Sequence, residues 1–133
     1  MTDKFSQIKN QFIVDEAEYP QEKISHLMEI MLKFLRVSKD GQVVVVKSVP
    51  TRKILQLILS ARFIANKVDK SIKEEISKEE LLTYSYLKKD VFTARFNEIL
   101  REGFSEKNGD ALKAKNILLV ERFLEKIGEK DNE

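Results

Sequence analysis

The stretch ISKEELLTYSYLKKDVFTARFNEILREGF, residues 76–104, decides the fold because it predicts two helices joined by a tight turn. Ser77 is a favoured helix-capping residue, and Glu80 three positions later completes a capping box for the first helix. We expect the second helix over residues 88–102, where Gly103 would end it in the left-handed conformation.

The second helix of this stretch has two different faces. Phe92, Phe96 and Ile99 recur at i, i+4 and i+7, which predicts that one face is buried. The opposite face carries short, polar or basic side chains: Lys89, Asp90, Thr93, Ala94, Asn97 and Arg101. Side chains of this kind suit a surface that enters a DNA groove.

The two helices resemble the helix-turn-helix core of a winged-helix DNA-binding domain, as in small transcriptional regulators of archaeal or prokaryotic type. Such cores have an acidic-then-leucine first helix, a short turn, an apolar-x-x-x-apolar-Asn-Glu-apolar segment and a Glu-Gly-apolar end. The matching residues here are Glu80, Leu81, Leu82, Phe92, Phe96, Asn97, Glu98, Ile99, Glu102, Gly103 and Phe104. The turn departs from the pattern, since Tyr86 stands where a glycine is usual and Ser85 where an apolar residue is usual. A non-glycine residue with positive φ costs on the order of 1 kcal/mol, so we expect a longer or differently shaped turn.

The composition narrows the possible classes of protein. A chain of 133 residues is long enough for one domain with a core, and 42% hydrophobic with 35% charged residues is typical of a soluble globular protein. The sequence has no apolar run long enough to span a membrane and no signal-peptide pattern, so we expect a cytoplasmic protein. With a formal net charge of only +2, DNA binding requires the cations to be gathered on one face.

Catalytic and metal-binding patterns are absent from the sequence. Cysteine does not occur, and His26 is the one histidine, inside an apolar helical segment. We find no Gly-rich phosphate loop, zinc-protease motif or nucleophile elbow. The sequence therefore predicts that the chain is not an enzyme and needs no cofactor or metal.

The N-terminal third of the chain combines a polar arm with an unusually apolar helix. Residues 1–20 predict an arm or short helix, in which Phe5, Ile8 and Phe12 fall on one stripe. Residues 21–36 predict a helix that is apolar on most sides. Such a helix is either deeply buried or shared with a second chain.

The middle of the chain predicts one strand and one long helix. Residues 42–49 contain four consecutive valines and end at Pro50, which indicates a strand. Residues 51–69 then predict a helix with a clean core face and a polar side that includes Arg62. This helix would be the first of the three that make a winged-helix core.

The chain beyond residue 103 supports two interpretations. Residues 104–113 predict a wing hairpin, because Asn108-Gly109 is a strong type I′ turn signal. If Asp110 is instead an N-cap, a helix covers residues 110–127 and ends at Gly128. We favour a rudimentary wing, or none, followed by that helix.

These expectations combine into a mainly α, α+β fold. We expect one winged-helix domain over residues 21–133, with its helix-turn-helix at 77–103, an extra N-terminal helix, one valine-rich strand and a C-terminal helix. The resemblance implies a small transcriptional regulator that inserts helix 88–102 into the major groove of double-stranded DNA. A homodimer through helix 21–36, helix 110–127 or both would present two such helices one DNA turn, ~34 Å, apart.

Six residues are the candidate DNA contacts. Lysines at a helix N-terminus favour phosphates, an outward Thr and Asn one turn apart reach base edges, and further cations hold the flanking backbone. The candidates for these roles are Lys88, Lys89, Thr93, Asn97, Arg101 and Lys107. Arg95 lies to the side of the helix and either pairs with Glu98 or contacts phosphate.

A protein-protein module is the alternative to a DNA-binding protein. Winged-helix domains also serve as adaptors, since a fold does not determine a function. Tyr84 and Tyr86 would then form an exposed contact patch. Four acidic residues near the second helix dilute its positive field and favour this alternative: Asp90, Glu98, Glu102 and Glu106.

Overall fold

The computed structural model of the chain describes residues 3–131, so the ends of the expected 1–20 arm and 21–133 domain lie outside the described residues. Within this range the helices are α1 (Lys4–Phe12), α2 (Gln21–Leu32), α3 (Thr51–Val68), α4 (Lys78–Ser85), α5 (Lys89–Glu102) and α6 (Ile117–Asp131), with a 3₁₀ turn at Glu16–Glu18. The strands are β1 (Leu35–Val37), β2 (Val43–Val45), β3 (Ile76–Ser77), β4 (Ser105–Asn108) and β5 (Ala111–Ala114). The fold is therefore mixed α+β.

Two small antiparallel sheets accompany the helices. In the first, β1 pairs with β2, and Leu35 lies opposite Val45. In the second, β5 lies between β3 and β4, with Ile76 opposite Leu112. The expected single valine-rich strand over residues 42–49 is thus wrong in two respects. Only Val43–Val45 are paired, and they have a partner strand that the sequence analysis assigned to a helix.

The C-terminal region is a complete hairpin followed by a helix. Strands β4 and β5 pair over four residues each and turn at Gly109, whose φ is 63°. A hairpin followed by a helix agrees with the favoured interpretation, but the alternative helix start at Asp110 is wrong. Residues 111–114 make backbone hydrogen bonds in the sheet, and α6 begins only after Asn116, whose Oδ1 accepts from the Leu119 N–H at 3.0 Å.

Both helices expected at the dimer interface differ in length from the prediction. The expected helix 21–36 ends at Leu32, because the Phe34 carbonyl accepts from the Val46 N–H at 2.7 Å at the base of the β1–β2 ribbon. The expected end at Gly128 is also wrong, since α6 continues to Asp131. A Cβ at Gly128 would lie 3.3 Å from Ile30 Cγ2, so this glycine permits α6 to pack closely against α2.

The long central helix α3 supplies much of the core. Leu57, Ile58 and Leu59 are fully buried within it. Arg62, expected on a polar side, is also buried, and its guanidinium donates to three backbone carbonyls. Its Nη1 bonds Gly41 at 2.8 Å, its Nε bonds Lys73 at 2.6 Å, and its Nη2 bonds Glu75 at 3.0 Å. This arginine ties the β1–β2 turn to the segment that leads into β3 and α4.

The segment 76–104 forms the expected pair of helices. Ser77 and Glu80 form the predicted capping box, and Gly103 ends α5 with φ 78°. The turn is not longer, because Tyr86 itself adopts the left-handed conformation with φ 57°. Ser85 fits this turn although it is buried, since its hydroxyl donates to the Leu82 carbonyl and accepts from the Leu87 N–H. The element order is compatible with a winged helix.

Candidate nucleic-acid interface

The outward face of α5 gathers the sequence-predicted residues. Phe92, Phe96 and Ile99 are buried, as the apolar spacing predicts. All six candidate contact residues are exposed: Lys88, Lys89, Thr93, Asn97, Arg101 and Lys107. Five of them lie on α5 or at its N-cap, and Lys107 lies on β4, which follows α5 after two residues.

The polar groups on this face are largely uncommitted. The Thr93 hydroxyl donates to the Lys89 carbonyl at 2.9 Å, which leaves its oxygen free to accept a further hydrogen bond. Among the described residues, no hydrogen bond or ion pair engages the side chains of Asn97 and Arg101. An exposed amide and guanidinium without internal partners are available to a ligand.

Two of the acidic residues on α5 are directed away from this face. Glu98 accepts from Arg95 Nη1 at 2.7 Å and lies 3.3 Å from Arg52 Nη1 on α3. Glu102 accepts from Gln56 Nε2 at 3.0 Å, also on α3. Arg95 was expected either to pair with Glu98 or to contact phosphate, and the structure shows the salt bridge with Glu98. Asp90 and Glu106, the other two acidic residues that were expected to dilute the positive field of this helix, are exposed.

The two tyrosines beside the turn differ in exposure. Tyr84 is half-buried, and its hydroxyl donates to Glu80 Oε2 at 2.9 Å. Burial and this hydrogen bond raise the Tyr84 pKa. Burial also acts to raise the pKa of Glu80, but hydrogen bonds from Tyr84 and Ser77 outweigh it and lower that pKa. Tyr86 is 86% exposed, so only one of the two tyrosines presents an open ring.

Beside Tyr86 lies an apolar surface that the sequence analysis missed. Val46 and Tyr86 line the same groove, and Val44 and Val46 of the β1–β2 region are both more than half exposed. The signal was the alternation of these valines with the buried Val43. The run was interpreted as a strand by β-branching and length, and its two sides were not distinguished.

Other kinds of site have no support in the described part of the chain. No group of three or more His, Cys, Asp or Glu residues is arranged to hold a metal ion there, and His26 is exposed on α2. None of the helices over residues 3–131 combines the length and apolarity that crossing a bilayer demands. Comparisons with protein-family models, curated proteins and solved structures found no match.

Proposed function

We propose that this chain is a winged-helix protein that binds double-stranded DNA by inserting α5 into the major groove. One observation carries the proposal: α5 buries its aromatic face and leaves an exposed polar and basic face, on which Asn97 and Arg101 have no side-chain partner among residues 3–131. A major groove about 12 Å wide admits a helix of this size.

The contacts divide by their position along α5. Lys88 and Lys89 lie at the helix N-terminus, where backbone N–H groups and the helix dipole also attract phosphate. Asn97 lies two turns further along and can make a bidentate contact to adenine. Arg101 and Lys107 extend the basic surface toward the hairpin and bind flanking phosphates.

The surrounding elements support a winged-helix arrangement. α4, the turn at Tyr86 and α5 form a helix-turn-helix, and the sheet order β3-β5-β4 attaches the following hairpin to the strand before α4. The β4–β5 hairpin is the wing of this proposal. A homodimer would present two α5 helices to successive major grooves, as expected of a small cytoplasmic transcriptional regulator.

The test is a titration of fluorescent DNA duplexes, read by anisotropy over a series of salt concentrations. Lys89→Ala should weaken binding to all sequences alike and reduce the slope of log affinity against log salt by about 1. Asn97→Ala should leave that slope unchanged and relax the preference for adenine-containing sites by about 1–3 kcal/mol.

Lys126→Ala is the matched control, because Lys126 is exposed on α6 and carries the same charge. It should leave affinity and salt slope unchanged. Binding that is insensitive to salt, or equally sensitive to Lys89→Ala and Lys126→Ala, would contradict the proposal.

An adaptor module that binds protein is the second candidate. Val46 and Tyr86, which line one groove and are 57% and 86% exposed, favour it, since apolar side chains exposed together are typical of protein contact sites. Salt separates the two candidates. Docking on this surface should barely change with ionic strength, whereas binding through several phosphates weakens steeply.

A further inference from the structure

Helix α1 has an apolar face without a partner in the described chain. None of its residues is buried, and Phe5, Ile8 and Phe12 are 75%, 52% and 84% exposed. These three side chains lie on one stripe, at i, i+3 and i+7. An amphipathic helix with its apolar side in water is incomplete, because helices of this length depend on packing for stability.

The base of α1 is nevertheless fixed to the body of the protein. Glu16 Oε1 accepts from the Ile117 N–H at 2.7 Å, and Glu16 Oε2 lies 3.2 Å from Lys67 Nζ. The Tyr19 hydroxyl donates to Glu121 on α6. The segment that follows α1 is therefore held beside the C-terminal end of α3 and the start of α6.

The same end of α3 contributes to an open apolar groove, with α2 and β1 as its other walls. The groove has a volume of about 510 Å³, and no residue of α1 lines it. Leu32 and Val68 within it are 52% and 58% exposed, and Met28 is half-buried. Leu32 and Val68 are therefore as incompletely covered as Ile8 on α1, while Met31 and Ile64 form the buried floor of the groove.

The charges around the two surfaces are opposite. On α1, Lys4 and Lys9 flank the apolar stripe on its two sides. Around the groove, Glu29 on α2 and Asp69 after α3 supply one carboxylate from each wall. Arg36 on β1 also lines it, but its guanidinium donates to the Leu32 and Leu35 carbonyls, so the two carboxylates outnumber the one cation. If α1 is seated in the groove, the lysine on each side of its apolar stripe lies beside the carboxylate of one wall.

We propose that two copies of this chain associate by exchanging their α1 helices, each of which docks its Phe5–Ile8–Phe12 face into the α2–α3 groove of the partner. The proposed function assumes a homodimer, and this inference rests on it only in naming the surface through which that homodimer forms. A buried Phe contributes about 150–250 Å², so the four rings of two reciprocal helix-groove contacts bury roughly 600–1,000 Å². The covered groove walls bring the total toward about 1,200 Å², the lower end of the range for stable interfaces.

The experiment is sedimentation equilibrium of the full chain without DNA, over two decades of protein concentration. The wild type should be a dimer that dissociates on dilution. Phe12→Asp on the helix and Leu32→Glu on the groove wall should each raise the dimer dissociation constant by at least about 30-fold, as expected for central interface residues. Gln7→Asp places a charge on the far side of α1 and should have no effect.

A mixture of Phe12→Asp and Leu32→Glu chains distinguishes exchange from other dimers. The mixture retains one intact helix and one intact groove, so it should form more dimer than either variant alone. A wild type that stays monomeric overturns the inference, and so does a Leu32→Glu chain that dimerises normally, which indicates pairing of α1 with α1.

The DNA-binding proposal and the helix-exchange proposal can be refuted independently of each other. A monomer that binds duplex with the expected salt slope refutes only the exchange. An exchanged dimer that does not bind duplex refutes only the DNA-binding function.

Discussion

Helices α1 and α5 have similar apolar patterns and opposite environments. Each carries two phenylalanines and one isoleucine on a single stripe: Phe5, Ile8 and Phe12 on α1, and Phe92, Phe96 and Ile99 on α5. The three α5 residues are at most 4% exposed, whereas the three α1 residues are at least 52% exposed. The pattern alone therefore does not distinguish a core helix from one without a partner in its own chain.

The difference lies in what surrounds each helix. α5 follows α4 after a short turn and packs on α3, which is buried along most of its length. α1 is joined to the body through a segment fixed by Glu16, and it lies outside the core. A helical stripe specifies which face is apolar, and only the rest of the fold specifies what covers that face.

The largest expected effect is on the free energy of unfolding when an aromatic ring is removed from each helix. Phe96→Ala should lower it by about 3–5 kcal/mol, because the ring is buried and packs in a tilted arrangement with Phe92, 5.6 Å between ring centroids. Phe12→Ala should change it by less than about 0.5 kcal/mol at concentrations where the chain is monomeric. Urea denaturation measures both, and equal losses would show that α1 belongs to the monomer's core.

The sequence was sufficient to predict the elements that depend on local chemistry. The capping box at Ser77, the glycine end of α5 and its buried aromatic face all follow from spacing within one helix. The elements that depend on distant partners were predicted wrongly. Residues 35–37 pair with β2 instead of extending α2, and residues 111–114 pair with β3 and β4 instead of opening α6.

The candidate interface shows the same division. The spacing along α5 was enough to predict that Asn97 and Arg101 face outward. The pairing of Glu98 with Arg95 was among the expected alternatives. The α3 partners of Glu98 and Glu102 were beyond sequence reasoning, because Arg52 and Gln56 lie 46 residues away in the chain. Burial of Arg62 was missed for the same reason, since its three carbonyl partners come from two separate segments.

Loss of the N-cap should also have different effects in α4, which is capped by Ser77 and leads into α5, and in α1, which is capped by Asp3. Ser77→Ala should lower the free energy of unfolding by about 1 kcal/mol, because the Glu80 N–H loses its acceptor at 3.1 Å in a helix that packs on the core through Leu81. Asp3→Ala removes the equivalent bond to the Ser6 N–H at 2.7 Å, and should unravel α1 without a resolvable change in global stability. Thermal melts and the far-UV circular dichroism signal separate these outcomes. Ser77→Thr keeps a capping hydroxyl and should melt close to the wild type.

The turn at Tyr86 offers a smaller effect of opposite sign. Tyr86→Gly should stabilise the chain by about 0.5–1 kcal/mol, because glycine adopts the left-handed conformation without a Cβ penalty and the exposed ring packs little. Tyr86→Ala keeps the Cβ and is the matched control, which should show no gain. A glycine variant that is no more stable than the alanine variant would indicate that the turn is not strained. α1 contains no residue with positive φ, so no comparable gain is available there.

The smallest effect is the response of α1 to acid. The hydrogen bond from the Ser6 N–H lowers the pKa of Asp3 below its ordinary value of 3.8. Its support for α1 is therefore complete above that ordinary value and is lost as the pH falls through the lowered pKa. The Ser6 amide resonance should shift over this range while the amides of α5, held by the core, keep their helical positions. Asp3→Asn retains a capping side chain that does not titrate, so its Ser6 resonance should be independent of pH. A shift that persists in Asp3→Asn would mean that other carboxylates control the stability of α1, and the difference between the two helices would then lie in their charges as well as in their packing.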